Sequence, residues 1–222
     1  MKIYAISDEL LTPVHTIEAQ LKEAILGGIK YFQLRDKKSI DSAILPLCVR
    51  LAEVCAESSV EFIINDRVEL ALALQERGIP CGLHLGRDDE RGEFAKLRDE
   101  FRGIIGISCY GDLERALKYE AQGANYVAFG SIFKSATKVD SAVVGTEILR
   151  LAREKIKRAK ICAIGGINAQ NLAEVGESAD MVAMVSAIWQ GDVRENMRSI
   201  CVFGMQFRTC RKFWTSTDFK SS

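Results

Sequence analysis

Eight short runs of apolar and β-branched residues recur along this chain, at 3–6, 31–34, 61–64, 82–85, 104–107, 126–129, 161–164 and 181–185. Each reads as a buried strand. Between them lie segments with helical periodicity, at 15–26, 68–76, 93–101, 113–122, 145–156 and 168–175. The clearest is Ile44, Leu45, Leu47, Cys48, Leu51, Ala52 and Cys55, where apolar residues return at intervals of three and four. A strand followed by a crossover helix, repeated every roughly 20 to 30 residues, specifies a parallel sheet and suits a single-domain (β/α)8 TIM barrel. A doubly wound open sheet is the alternative. The barrel is favoured because polar, Gly-rich residues follow almost every run, whereas an open sheet concentrates its site at one switch point.

Helix stop signals agree with this alternation. Gly27-Gly28, Gly78, Gly103 and Gly123 each fall just before a strand, where a left-handed C-cap turns the chain back. No linker or low-complexity tract intervenes, so one catalytic barrel is expected over 1–195. Residues 196–222 form a C-terminal tail without a convincing period. In it Phe203, Phe207, Phe213, Trp214 and Phe219 interleave with Arg208, Arg211 and Lys212. The tail reads as a segment docked on the barrel by its aromatics, an oligomer contact in a homo-oligomer, or an extension.

Charge removes several function classes. Lys plus Arg and Asp plus Glu number 30 each, so no net field draws the protein to nucleic acid or an anionic membrane. Any anion site must be local. Seven cysteines, an odd number without Cys-x-x-Cys spacing, read as reduced thiols. The opening run is too short for a signal segment and no apolar stretch is long enough to cross a bilayer, so the cytoplasm is the expected location.

In a barrel of this kind the chemistry sits on the loops after the strands. Gln33, Arg35 and Lys37 leave the second strand at alternate positions, an amide with two cations that suits a ring bearing a polyanion. Asn65 and Asp66 follow the third strand. His84 and then Asp89 follow the fourth, Ser108 ends the fifth, and Ser135, Thr137 and Lys138 lie after the sixth. Asp66 and Asp89 beside three cations suit Mg2+ carried in by a diphosphate, because magnesium keeps several waters and takes one or two carboxylates. Taken singly, Asp66 also suits a helix cap and Asp89 a surface acid.

Gly165-Gly166, opening a helix from Asn168, and Val185-Ser186 on the next loop suit a monophosphate held by backbone N–H groups. Neither His15 nor His84 reads as catalytic, and packed or capping roles suit both. No Ser/His/Asp arrangement occurs, which points to electrostatic catalysis.

These elements together resemble thiamine phosphate synthase. The matching residues are Tyr4-Ala5-Ile6-Ser7-Asp8, Gln33-Leu34-Arg35-Asp36-Lys37, Ile63-Ile64-Asn65-Asp66, His84-Leu85-Gly86 with Asp89, Gly106-Ile107-Ser108, Thr137-Lys138, Ala163-Ile164-Gly165-Gly166-Ile167 and Val185-Ser186-Ala187-Ile188. The resemblance implies a transferase that joins a hydroxymethylpyrimidine diphosphate to a thiazole phosphate, or its carboxylated form, releasing pyrophosphate. It assigns Gln33, Arg35, Lys37, Asn65, Ser108 and Lys138 to the pyrimidine diphosphate, with Arg35, Lys37 and Lys138 catalytic. It assigns Asp66 and Asp89 to magnesium, and Ser135, Thr137, Gly166, Val185 and Ser186 to the thiazole phosphate.

The chain departs from the family pattern at Lys134-Ser135-Ala136, where Pro-Thr is usual, and at Arg87, where Gln is usual. The stretch between Asp66 and His84 is also longer around Gly78-Ile79-Pro80. Competing readings are a thiazole tautomerase on the same barrel, a non-catalytic thiazole- or thiamine-phosphate-binding regulator, and an unrelated phosphosugar enzyme. Retention of Arg35 with Lys37, and of both aspartates, favours the synthase.

Overall fold

Eight parallel strands pair in chain order and close on themselves, β8 returning to β1. They are β1 Lys2–Ile6, β2 Tyr31–Leu34, β3 Glu61–Asn65, β4 Gly82–Leu85, β5 Ile105–Tyr110, β6 Tyr126–Phe129, β7 Lys160–Ile164 and β8 Met181–Met184. The helices that alternate with them are α1 Ile17–Leu26, α2 Asp41–Glu57, α3 Val68–Glu76, α4 Phe94–Glu100, α5 Leu113–Ala121, α6 Glu147–Lys155, α7 Leu172–Val175 and α8 Ser186–Trp189, followed by α9 Val193–Gly204. The computed structural model describes residues 1–86, 94–134 and 142–204. The closed order is that of a (β/α)8 barrel and excludes the open sheet.

Strand residues alternate between two cores. Outward side chains such as Phe32, Phe62, Ile64, Leu83 and Ile105 meet the helices, which present stripes like Ile44, Leu47, Cys48, Leu51 and Cys55 of α2. Inward side chains, among them Tyr4, Tyr31, Ile63, Tyr126, Cys162 and Met181, fill the barrel itself. Bulk on one strand is matched by its absence on the next. A Cβ on Gly106 would lie 1.9 Å from the Tyr126 ring, so the glycine of β5 makes the space that the β6 tyrosine occupies.

Gly28, Gly78 and Gly123 take positive φ as the stop signals require. Gly103 does not belong with them; there a Cβ would sit 2.0 Å from the Cys81 carbonyl oxygen, and close approach is what demands glycine. Cys48, Cys55 and Cys109 are buried and unbridged, with burial pushing each thiol up to about 12, so they stay protonated as small apolar fillers.

Helix α9 continues past residue 195, so the expected boundary at 195/196 falls inside its first turns. Met197, Ile200 and Cys201 are buried against the barrel, and a Cβ on Gly27 would lie 2.5 Å from Met197 Cβ. The tail beyond residue 204 lies outside the described residues. Among the described residues no helix is long and apolar enough to cross a membrane.

Candidate active site

The C-terminal ends of the strands converge on a polar floor. Gln33 of β2 donates from Nε2 to Tyr4 Oη of β1. Tyr4 Oη lies 2.9 Å from Tyr126 Oη of β6, which lies 2.8 Å from His84 Nδ1 of β4. His84 Nε2 lies 2.9 Å from Ser108 Oγ of β5. His84 therefore points inward and its packed role is a hydrogen-bonded one, with its ring stacked on Tyr126 at 5.6 Å between centroids. Burial is the main reason both phenols are pushed far above their ordinary range.

Above this floor the β2 and β3 ends bring opposite charges together. Lys37 Nζ lies 3.4 Å from Asp66 Oδ2, and Asn65 Nδ2 donates to the same oxygen at 2.5 Å. Asp66 holds φ at +64° and its N–H donates to the His84 carbonyl at 2.8 Å, an unusual backbone state for a residue with a side chain. It does not cap a helix; Arg67 occupies the N-cap position of α3 and makes no side-chain cap.

Arg67 serves the neighbouring loop instead. Its Nη2 donates to the Asp36 carbonyl at 2.8 Å and the Ser39 carbonyl at 2.6 Å, and Nη1 pairs with Asp41. The Arg35 N–H donates to Ser7 Oγ at 2.8 Å and the Lys37 N–H to Glu9 Oε1 at 3.1 Å, so residues of the loop after β1 brace the same segment.

On the other side of the mouth a cleft of about 170 Å³ is lined by Ser108, Gly130, Ser131, Gly165, Gly166, Val185 and Ser186, among others. Gly165 and Gly166 take φ of +100° and +65°. Their Cα positions face Ser131 and the Phe133–Lys134 backbone so closely that a Cβ at either would overlap them, at 2.0 and 2.4 Å. Among the described residues no acceptor takes the N–H of Gly166 or Ile167.

The expected helix opening at Asn168 is absent. Asn168 N–H donates to Asn171 Oδ1 at 2.8 Å, Gln170 N–H donates back to Asn168 Oδ1 at 2.9 Å, and α7 starts only at Leu172. Side-chain turns occupy those donors, which leaves Gly166, Ile167 and the start of α8 at Ser186 facing the cleft.

Gln33, Asn65, Asp66, Lys37 and Ser108 are joined directly or through the floor, while Gly166, Val185 and Ser186 share the cleft that Ser108 also lines. Arg35 lies on the loop that Ser7 braces. Asp89, Ser135, Thr137 and Lys138 lie outside the described residues. Sequence reasoning missed Tyr4, Tyr126 and Arg67. The signal for the tyrosines was present, since both fall on inward positions in line with Gln33, His84 and Ser108, but inward and outward cannot be told apart before the barrel register is known.

Asp66 Oδ1 takes no hydrogen bond from a described residue, which leaves a hard carboxylate oxygen for a cation. Among the described residues no cluster of three or more His, Cys, Asp or Glu could cage a metal, so such an ion would need oxygens from elsewhere, as from a diphosphate.

The family described as Thiamine monophosphate synthase matches residues 3–188. A thiamine-phosphate synthase of Wolinella succinogenes is 45% identical over 203 residues, spanning 89% of this chain and 91% of its own. One from Methylococcus capsulatus is 40% identical over 90% of this chain and 87% of its own. Among solved structures, a thiamine phosphate pyrophosphorylase from Pyrococcus furiosus superposes with a TM-score of 0.78 at 32% identity, covering 92% of this chain and 96% of that one.

Proposed function

The chain belongs to the thiamine monophosphate synthase family and is a transferase, and on that premise we propose that it joins a hydroxymethylpyrimidine diphosphate to a thiazole phosphate, releasing pyrophosphate. The observation that carries this reading is the Lys37–Asp66 pair, 3.4 Å apart on adjacent strand ends. In this reading Lys37 is a cation for the diphosphate and Asp66 a carboxylate for that diphosphate's metal.

Breaking the bond between the pyrimidine methylene carbon and the diphosphate oxygen sends the electron pair to pyrophosphate and leaves a pyrimidine-stabilised cation. The thiazole ring nitrogen then forms the new bond to that carbon. Arg35, Lys37 and Lys138 neutralise the departing charge, and no nucleophilic side chain is required. Asp66 and Asp89 would hold Mg2+, which when bound supplies further neutralisation of the leaving pyrophosphate.

Gln33, Asn65 and Ser108 orient the pyrimidine. The N–H groups of Gly166 and Ile167, which no described residue accepts, with Ser186 across the cleft and Ser135 and Thr137 from the next loop, suit the thiazole phosphate. Val185 packs beside it. Holding both halves in one mouth supplies orientation that free solution does not. The expected compartment for such small phosphorylated substrates is the cytoplasm.

The test is to supply the purified chain with both phosphorylated halves and magnesium and to quantify products. Thiamine phosphate and pyrophosphate in equal amounts are expected. Binding of the thiazole phosphate without condensation would contradict the reading.

A further inference from the structure

Gln33, Tyr4, Tyr126, His84 and Ser108 make one hydrogen-bonded chain across the barrel from β2 to β5, and its protons can be ordered. Gln33 Nε2 donates to Tyr4 Oη. Tyr4 is 1% exposed and has a single proton, for which Tyr126 Oη at 2.9 Å is the acceptor among the described residues. With the Gln33 amide turned Nε2 toward Tyr4, a Tyr126 donor would leave the Tyr4 proton buried without an acceptor among the described residues, which costs more than one hydrogen bond returns.

Tyr4 therefore donates to Tyr126, and Tyr126 to His84 Nδ1 at 2.8 Å. An imidazole accepting at Nδ1 carries its proton on Nε2, so Nε2 donates to Ser108 Oγ at 2.9 Å. The Ser108 proton is left to point elsewhere. Gln33 is 2% exposed, and its Oε1 takes no hydrogen bond from a described residue. The chain thus ends in an acceptor on β2 and a donor on β5. Burial holds both phenols protonated, so the order is not lost by ionisation.

We propose that Tyr4, Tyr126 and His84 are positioning residues that lock Gln33 as an acceptor and Ser108 as a donor, and so select an aminopyrimidine ring over its oxo counterpart. The selection rests on the pyrimidine diphosphate reading above. An exocyclic amine donates to Gln33 Oε1, while the ring nitrogen para to it accepts from Ser108. The oxo ring sets its oxygen against Gln33 Oε1, two acceptors with no proton between them.

Two measurements decide this. The chain has two histidines, His15 and His84, so isotope-labelled histidine in the full-length protein gives two sets of ring nitrogen resonances, assigned with His15→Gln. At pH 7 His84 is expected as the neutral Nε2–H tautomer. An Nδ1–H tautomer or an imidazolium overturns the proton order, whatever reaction the protein performs.

The second is the ratio of kcat/KM for the amino and oxo pyrimidine diphosphates, in the unaltered protein and in Tyr126→Phe. Without the Tyr126 hydroxyl, the Tyr4 proton turns to Gln33 Oε1, the amide reverses, and its NH2 faces the ring. The amino preference should then fall by about 100-fold, the scale on which mismatched polar groups discriminate. Equal losses on both substrates, with the ratio unchanged, would mean a merely structural role and overturn the selection. If Tyr126→Phe does not fold, the His84 spectrum still decides the chain. If the unaltered protein condenses neither pyrimidine, the selection falls together with the proposed function, and the spectrum alone judges the proton order.

Discussion

Arg67 donates from Nη2 to the carbonyl oxygen of Asp36 at 2.8 Å, so the residue that follows Asp66 holds the residue that precedes Lys37. The two halves of the charged rim are thereby built on one guanidinium. Its planar fork reaches Asp36, Ser39 and Asp41 together, a geometry that a lysine ammonium does not reproduce.

Arg67→Ala should lower stability by about 2 kcal/mol, since it strips hydrogen bonds from a mostly buried charged group. It should also lower kcat/KM for the diphosphate by about 100-fold through misplacement of Arg35 and Lys37. Arg67→Lys should recover part of the stability and little of the kinetic loss. Urea denaturation and steady-state kinetics on both variants check this, and a fully active Arg67→Lys protein would contradict the clamp.

Asp66→Asn should cut turnover by about 100-fold and weaken its dependence on magnesium, because it removes the carboxylate charge beside Lys37. Thiazole phosphate binding, on the far side of the mouth, should be nearly intact by calorimetry. Full activity in this variant would refute the metal assignment.

Gly106→Ala tests the packing beneath the floor. The added methyl would meet the Tyr126 ring at 1.9 Å, so the ring must move and its hydrogen bonds to Tyr4 and His84 must stretch. A loss of about 2 kcal/mol or more is expected. Denaturant unfolding measures it; a shift below a few tenths would show that the tyrosine has room.

Much of this architecture was legible from the chain. The runs at 31–34, 82–85 and 126–129 became β2, β4 and β6 without a change of boundary, because buried parallel strands are continuous apolar runs flanked by helical periods. The site was legible as a list of residues after strands and not as a geometry. Tyr4 and Tyr126 read as apolar filling, since the contact that makes them polar spans 122 positions. The positive φ of Asp66 was hidden for a similar reason, its N–H being held by the His84 carbonyl of the next strand, whereas the turn at Asn168 is local, made with Gln170 and Asn171, and the two asparagines that form it stand in the sequence. Residues 196–204 lacked a convincing period, yet α9 buries Met197, Ile200 and Cys201 on one face, a stripe at intervals of three and one.

Glu120 predicts a pH response away from the site. Burial alone would raise its pKa, but the N–H groups of Lys157, Arg158 and Ala159 all donate to Oε1 and hold the carboxyl below its ordinary range. A carboxyl depressed in the folded state stabilises above its unfolded pKa, about 4.3, and that contribution is lost as pH falls through the folded value. Glu120→Gln should therefore cost about 1–2 kcal/mol at pH 7 and progressively less in acid. Unfolding curves from pH 7 to pH 3 test the sign. A cost that grows toward low pH would contradict it.

The most direct test is to follow thiamine phosphate and pyrophosphate in one reaction, first with magnesium and then with excess chelator, using the unaltered protein. Equal amounts of both products with metal, and a fall to background with chelator, are predicted. Undiminished product in chelator would remove Asp66 from its proposed role, and no product in either condition from a folded protein that binds thiazole phosphate would contradict the condensation itself.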